Sequence, residues 1–345
     1  MRLDDFDYEL PAERIAQAPP DERDGAKLYL LPRDGGEARH AAIVDLPSLL
    51  PERALLVVND SRVFPARLRG RKETGGKVEL LLLHPIRDEN GSETWACLGG
   101  ASKPLRSGMR VFLDGEREAE IVAVNGAEVE VRFASGVREL AERIGEVPLP
   151  PYIERVRPSE ADRERYQTVY ARDSGSAAAP TAGLHLSERL LARLDERGIE
   201  RAAVTLHVGL GTFAPLRAPG GVVDGSELHA ERYVVPEATA AAIARARGDG
   251  RAVVAVGTTT VRTLESACDE RGLTRAGAGE TRLFIRPGHR FRAVDGMLTN
   301  FHLPRSSLLM LVAAFGGRER VLAAYRDAVA RRYRFYSFGD AMLLI

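Results

Sequence analysis

Three histidines of this chain follow threonines in turns that contain glycine or proline. His185 ends the run PTAGLH, His207 lies in VTLHVGLGTF, and His302 lies in LTNFHLP. A histidine can donate or accept a proton near neutral pH, and a nearby threonine hydroxyl can fix its tautomer or bind a ligand oxygen. A satisfied histidine in a core or a turn is the structural alternative for each. Because α/β folds place ligands in loops at strand ends, the three turns together favour a catalytic site.

A metal centre is another use for these histidines. No two of them have the spacing of a helical ligand pair, and no aspartate or glutamate stands close by to partner them, so we expect no metal. The motif VGLGTF lacks the third glycine and the helix of a dinucleotide-binding fingerprint. We interpret Gly209 and Gly211 as positions where the backbone approaches a flat ligand closely.

The segment RAVVAVGTTTVRTLES joins a buried-strand pattern to a helical pattern that we expect to begin near Val261. The free N–H groups and the positive dipole end of that helix would bind a carboxylate or a phosphate. An ordinary capped helix is the alternative. The side chains predicted to complete this cradle are Thr258, Thr259, Thr260 and Arg262.

Five short strand-like runs lie between residues 77 and 136, separated by glycine and asparagine. They read KVELLLL, TWACLGG, MRVFLDG, EAEIVAVNG and AEVEVRFASG. Turn residues at about ten-residue spacing predict an all-β sandwich or small barrel. Residues 187–197 and 237–247 have helical spacing, and a strand-like run follows each. Helices that alternate with strands are typical of an α/β fold.

The chain has 345 residues, enough for two domains or for one domain with a large insertion. We predict a discontinuous α/β catalytic domain of residues 1–61 and 148–345, interrupted by a β-barrel-like domain of residues 62–147. Pro148, Pro150 and Pro151 mark the return, because proline stiffens a connection and stops strand pairing.

Composition excludes several classes of protein. Lysine and arginine (49) balance aspartate and glutamate (49), so composition alone does not predict an RNA substrate. The apolar run 308–315 is shorter than the roughly 20 residues that cross a bilayer, and acidic residues stand where a signal peptide would be basic. Cys97 and Cys268 are too few for a disulfide framework. We expect a cytoplasmic protein with no membrane association.

Several long blocks of the sequence resemble one enzyme family, in the same order from Met1 to Ile345. The blocks are NDSRVFPARLRGRKETGGKVELLL, LPPYI with YQTVYA, APTAGLH, VTLHVGLGTF, VGTTTVRTLES, TNFHLPRSSLLMLVAAF and YRFYSFGDAMLL. The family is that of the S-adenosylmethionine:tRNA ribosyltransferase-isomerases of queuosine synthesis.

The resemblance implies that S-adenosylmethionine donates its ribosyl carbon skeleton to tRNA. The acceptor would be the aminomethyl group of 7-aminomethyl-7-deazaguanine at the wobble position. The products would be epoxyqueuosine, adenine and methionine. No cofactor is expected beyond S-adenosylmethionine as co-substrate, and the enzyme is expected to be a monomer. A methyltransferase that uses S-adenosylmethionine on RNA, and a non-catalytic RNA-binding module, are the alternatives.

This reaction suits the residue types. The sulfonium acidifies protons on the adjacent ribose carbon, so a base could remove one and start the expulsion of adenine, which leaves more easily when protonated. His185, His207 and His302 are the candidates for these proton transfers, and the sequence does not divide the roles among them. The methionine carboxylate would bind the threonine-rich helix start.

Other residues are predicted to bind the substrates. Asn59, Thr181 and Asn300 would bind ribose hydroxyls or the edge of the deazaguanine. The remaining residues of this predicted set are Ser61, Arg62 and Gly183.

A cationic run precedes the glycine turn of residues 75–76. If residues 67–72 form a strand, Arg67, Arg69 and Arg71 project from one face while Leu68 and Gly70 face the core of the insertion. Their spacing of roughly 6 to 7 Å is close to that of successive RNA phosphates. An edge whose charges deter sheet aggregation is the alternative. The residues predicted to bind tRNA are Arg67, Arg69, Arg71 and Lys72.

Overall fold

A computed structural model describes residues 1–89, 91–113, 117–134, 136–155, 157–209, 221–223 and 228–345. Its strands are β1 (Lys27–Leu31), β2 (Arg39–Ala42), β3 (Leu55–Asn59), β4 (Ser61–Val63), β5 (Arg67–Lys72), β6 (Lys77–Glu89), β7 (Ser92–Ala101), β8 (Arg110–Leu113), β9 (Arg117–Asn125), β10 (Glu128–Ala134), β11 (Asp173–Ser176), β12 (Glu200–Leu206), β13 (Glu231–Val235), β14 (Val253–Val256), β15 (Gly277–Thr281), β16 (Gly296–Asn300) and β17 (Ala341–Leu344). Its α-helices are α1 (Leu46–Leu49), α2 (Val137–Ile144), α3 (Glu160–Arg165), α4 (Glu188–Glu196), α5 (Glu237–Gly248), α6 (Thr258–Ala267), α7 (Ser307–Gly316) and α8 (Arg318–Ala330). Its 3₁₀ turns are Leu3–Phe6, Ala12–Arg14, Ile43–Asp45 and Thr181–His185.

Nine strands form one mixed sheet in the order β15-β13-β12-β3-β14-β16-β17-β1-β2. The four central strands β12, β3, β14 and β16 run parallel, whereas β17 runs antiparallel to β16. Strands β3, β14 and β16 are buried at every residue, as expected where helices cover both faces of a parallel sheet. Their carboxyl ends therefore meet at one edge.

The alternation of side chains along β3 divides the core of the α/β body in two. Leu55 and Val57 pack in the cluster that contains α5, α6, α7 and α8. Leu56 and Val58 pack on the opposite face, with α1 and α4. Helices α4 and α5 confirm the helices predicted from periodicity. Within the described ranges, no helix is long and apolar enough to span a membrane.

The insertion is a closed antiparallel barrel of strands in the order β10-β7-β6-β5-β8-β9. Its interior is one apolar cluster, to which α2 contributes Val137, Leu140 and Ala141. The predicted hairpin is present, since β5 pairs with β6 across the turn at Gly75. The fold class, an α/β body with an inserted barrel, is confirmed, while the exact domain boundaries stay a prediction.

The two connections between the α/β body and the barrel lie side by side. The backbone N–H groups of Arg67 and Glu146 each donate to the other's carbonyl. Next to this bridge, a Cβ at Gly145 would lie 2.0 Å from the carbonyl oxygen of Pro65. Only glycine allows the two connections to pass this closely.

Candidate active site

A cavity of about 490 Å³ lies beyond the carboxyl ends of β14 and β16. Residues that follow these two strands line it, together with residues 178–182 and the start of α7. The lining includes five residues predicted from the sequence, namely Thr181, Thr258, Thr259, Asn300 and His302. The structure therefore brings together one of the three histidines, the first residues of the PTAGLH turn and part of the threonine cradle.

Two helices begin at this cavity. The first residues of α6 and the residues that open α7 line it. Gly257 occupies the N-cap of α6 and has no side chain with which to bind the first-turn N–H groups. The positive dipole ends of α6 and α7 thus lie at the wall of the cavity, where they favour an anionic group.

The cradle is smaller than predicted, because α6 begins at Thr258 rather than near Val261. Thr260 and Arg262 therefore turn into the protein. The Thr260 hydroxyl donates to the carbonyl of Val256 at 2.7 Å. The buried Arg262 guanidinium forms an ion pair with Glu231. The structure does not bring these two predicted binding residues to the cavity.

His302 is buried in the cavity wall, 9% exposed. Its Nε2 lies 2.9 Å from the Thr299 hydroxyl. Its backbone N–H donates to the Tyr325 hydroxyl at 3.2 Å, and its carbonyl accepts from the Tyr8 hydroxyl at 2.5 Å. Burial lowers the pKa of His302 to about 3. The ring is therefore neutral at physiological pH.

His185 is buried, and its ring lies within hydrogen-bond distance of Asn300 in the cavity wall. Its Nε2 lies 3.2 Å from Asn300 Nδ2, which also donates to the Tyr336 carbonyl at 3.0 Å. A carbonyl can only accept, so the amide nitrogen faces Tyr336 and His185 Nε2 must be an acceptor. Burial, with a smaller effect of nearby Arg334, lowers the pKa of His185 to about 4. A catalytic role for His185 stays a prediction.

His207 lies apart from the other two histidines. Its ring packs on Gly175, where a Cβ would lie 3.0 Å from the ring. Its Nδ1 is buried and has no hydrogen-bond partner within the described residues. Burial lowers the pKa of His207, and Asp173 opposes that shift. The next residue, Val208, lines the cavity, whereas His207 does not.

His207 belongs to a charged cluster, whose other members are Asp60, Arg172 and Asp173. The Asp60 carboxylate is buried and accepts from the Arg172 guanidinium at 2.6 Å. The Thr205 hydroxyl lies 2.7 Å from Asp60 Oδ1 and 3.2 Å from Asp173 Oδ2. This cluster fixes the ends of β3, β11 and β12 against one another.

Asn59 is fully buried, and its side chain joins three elements. Its Oδ1 accepts the backbone N–H groups of Ser61 and Leu206, and its Nδ2 donates to Leu206 and to Thr259. These contacts position α6 beside β3 and β12. Ser61 is likewise fully buried, whereas Arg62 is exposed on β4. None of the three lines the cavity.

The predicted glycines have different surroundings. A Cβ at Gly183 would lie 2.0 Å from the Tyr170 hydroxyl, so close packing requires glycine there. The backbone N–H of Gly209 donates to Glu231 at 3.2 Å. Gly211 lies outside the described residues.

The arginine row (Arg67, Arg69 and Arg71) has the predicted alternation, since Leu68 and Gly70 are buried between its members. Two of its three charges are already paired. Arg67 lies 3.3 Å from Glu79, and Arg69 lies 2.9 Å from Glu146. Arg71 donates to the carbonyl of the turn residue Gly75, and the adjacent Lys72 donates to the carbonyl of Lys103. Contact with tRNA stays a prediction, and the row offers less free positive charge than the sequence suggests.

Sequence reasoning did not assign a role to Tyr152 and Tyr336, although both lie in the cavity wall. Their ring centroids are 3.8 Å apart. The Tyr152 hydroxyl bonds to the hydroxyl of Ser337, which also lines the cavity. The blocks LPPYI and YRFYSFGDAMLL were a signal for these positions. In the part of the chain that the structure describes, no group of three or more His, Cys, Asp or Glu side chains could hold a metal ion.

A parallel-centred sheet with an inserted barrel and a cavity at its carboxyl edge is an architecture suited to a ligand-binding enzyme. A family described as "Queuosine biosynthesis protein" matches residues 3–344 of the chain. The chain therefore belongs to the queuosine biosynthesis protein family.

Individual relatives agree with this assignment. The chain is 59% identical to an S-adenosylmethionine:tRNA ribosyltransferase-isomerase of Anaeromyxobacter sp. (strain Fw109-5), over 100% of this chain and 99% of the relative. It is 52% identical to one of Sorangium cellulosum (strain So ce56), over 100% and 98%. The crystal structure of an S-adenosylmethionine tRNA ribosyltransferase from Thermotoga maritima has a TM-score of 0.57 and 35% identity, covering 99% of this chain and 100% of that one.

Proposed function

We propose that the chain is an S-adenosylmethionine:tRNA ribosyltransferase-isomerase. It transfers and isomerises the ribosyl group of S-adenosylmethionine onto 7-aminomethyl-7-deazaguanine at the wobble position of tRNA, and releases adenine and methionine. The observation that carries the proposal is the cavity, which in a chain of this family gathers His302, Asn300 and the starts of two helices at the carboxyl edge of the sheet. A cytoplasmic location, a monomeric state and independence of metal belong to the same proposal.

The methionine part of the substrate binds at the helix starts. Its carboxylate lies against the open first turn of α6, where Thr258 and Thr259 line the cavity. Backbone N–H groups and the dipole favour the carboxylate there, typically by about 0.3–1 kcal/mol for each such charge. Thr181 and Asn300 line the same cavity and bind ribose hydroxyls or the deazaguanine edge.

Our proposal gives the proton transfer to His302, because it is the one of the three candidate histidines that lines the cavity. Its Nε2 faces Thr299, which leaves Nδ1 as the ring nitrogen for the substrate. A base removes a proton from the ribose carbon beside the sulfonium, and the electron pair forms a double bond to the neighbouring ring carbon as that carbon's bond to the ring oxygen breaks. The ring oxygen then forms a carbonyl at the carbon that carries adenine, and the bond to adenine breaks. Because burial lowers its pKa, the free imidazole stays uncharged beside the cationic sulfonium. It carries the proton only briefly before passing it to the departing adenine.

The experiment is incubation of the protein with S-adenosylmethionine and tRNA that carries 7-aminomethyl-7-deazaguanine. Chromatography should show adenine and methionine released in equal amounts, and a chelator should leave the rate unchanged. Formation of S-adenosylhomocysteine instead would identify a methyltransferase and overturn the proposal. Loss of activity with the chelator, restored by one metal, would overturn its metal-free part.

A further inference from the structure

Tyr336 has a backbone conformation that bulky residues rarely adopt. Its φ is +75°, in the left-handed region. Four non-glycine residues in the described ranges have positive φ, and two of them, Arg305 and Tyr336, line the cavity. Strained backbone of this kind persists only where the surroundings enforce it, and it concentrates at ligand sites.

Hydrogen bonds on both sides of Tyr336 enforce this conformation. Its N–H donates to the carbonyl of Phe301 at 3.1 Å, and its carbonyl accepts from Asn300 Nδ2 at 3.0 Å and from the N–H of Gly339 at 2.9 Å. Asn300 is in turn oriented by His185. The buried pair of His185 and Asn300 therefore fixes the backbone from which the Tyr336 ring projects.

The conformation places the Tyr336 ring against the ring of Tyr152. The centroids are 3.8 Å apart, the planes are inclined by 48°, and both residues line the cavity. Among the described residues that line this cavity there is no aspartate or glutamate. Within this described lining a cationic ligand has no carboxylate to pair with, but it can lie against the negative face of an aromatic ring.

On the basis of the proposed function, we propose that the Tyr152–Tyr336 ring pair binds the sulfonium of S-adenosylmethionine, and that Asn300 and His185 are positioning residues for that pair. The helix starts of α6 and α7 disfavour a cation and favour the carboxylate. These two parts of the cavity wall thus orient the substrate, with the carboxylate at the helices and the sulfonium at the rings.

Equilibrium binding tests the ring pair, in the presence of tRNA whose unmodified wobble guanine lacks the acceptor amine. S-adenosylmethionine and the neutral thioether S-adenosylhomocysteine are titrated calorimetrically into the wild type, Tyr336→Phe and Tyr336→Asn. Asparagine tolerates the left-handed conformation, so Tyr336→Asn should fold while lacking the ring. It should lose about 10-fold more affinity for the sulfonium compound than for the thioether, and Tyr336→Phe should keep the wild-type preference.

Arg332→Asn is the matched control, because Arg332 also has positive φ (59°) but is exposed at the end of α8. It should leave both affinities unchanged. Equal losses for the two ligands in Tyr336→Asn would mean that the ring contacts the adenine and would overturn the sulfonium assignment. Unchanged affinities would overturn the site.

The positioning role is tested with His185→Phe and Asn300→Leu, which remove the acceptor and the donor of the pair without adding a charge. Both should reduce the preference for the sulfonium compound, as Tyr336→Asn does. If His185→Phe abolishes turnover but leaves both affinities at wild-type values, His185 is a proton carrier and not a positioning residue. Failure of the wild type to release adenine and methionine from S-adenosylmethionine and the modified tRNA would instead refute the proposed function.

Discussion

The cavity beside His302 and the charged cluster around His207 both lie beyond the carboxyl ends of parallel strands, but they differ in charge. The cavity wall presents hydroxyls, amides, aromatic rings and helix starts, and its one charged side chain among the described residues, Arg305, is paired with Asp4 and Asp7. In the cluster, Thr205 bridges the two aspartates, and Arg172 pairs directly with Asp60. A cationic substrate loses hydration when it binds, so neutral groups of fixed orientation must replace the water. Strand ends can instead be joined by charged side chains that remain near solvent. On this difference we base the proposal that the chemistry takes place in the cavity and that the cluster supports the strand ends.

The largest expected effect separates the two regions through their histidines. His302→Ala should lower turnover by about 10²- to 10⁴-fold, the usual contribution of one proton-transferring side chain. His207→Ala should change turnover by less than about 10-fold, because His207 does not line the cavity. Single-turnover adenine release measures both, with circular dichroism to verify folding. The reverse ranking would move the chemistry to the cluster.

The second effect concerns stability at acidic pH. The folded pKa of His302 lies near 3, below the unfolded value of about 6.5, so on acidification the unfolded chain binds the proton first. Stability contributed by neutral His302 is therefore lost as pH falls from about 6.5 towards 3, by about 1.4 kcal/mol per pH unit.

Between pH 7 and pH 5, His302→Gln should therefore lose about 2 kcal/mol less unfolding free energy than the wild type. Urea denaturation at several pH values gives this comparison. His207→Gln should differ less, because Asp173 opposes the shift of the His207 pKa. Parallel pH curves for the wild type and His302→Gln would show that His302 titrates normally.

The smallest expected effect concerns the barrel and the salt dependence of tRNA binding. Replacing Arg67, Arg69 and Arg71 by glutamine should flatten the log–log salt dependence of tRNA binding by no more than about one unit, since each lost phosphate contact removes about 0.7 to 0.9. Arg67 and Arg69 already pair with carboxylates, which limits the change. Filter binding at several salt concentrations measures it, and S-adenosylmethionine affinity should not change. A decrease of two units or more would mean that RNA displaces the glutamates.

The features that depend on neighbouring residues could be predicted from the sequence. Turn residues and short apolar runs predicted the barrel, and threonines at strand ends predicted residues that line the cavity. The side-chain contacts that changed the roles predicted for individual residues could not be predicted, because the contacting residues are distant in sequence. Arg262 pairs with Glu231, 31 positions away, and His185 meets Asn300 across 115 positions. A contact of that kind depends on the completed fold.

The order of strands in the sheet has a consequence for synthesis of the chain. β3 is made early and ends at Asn59, but its parallel neighbours β12 and β14 begin only at Glu200 and Val253. All six barrel strands emerge between them, and four of their six pairings join consecutive strands (β5–β6, β6–β7, β8–β9 and β9–β10). Antiparallel pairings between strands so close in sequence form faster than distant parallel ones. We expect the barrel to complete its hydrogen bonding on the ribosome before β12 and β14, the two strands that pair with the apolar strand β3, have been synthesised.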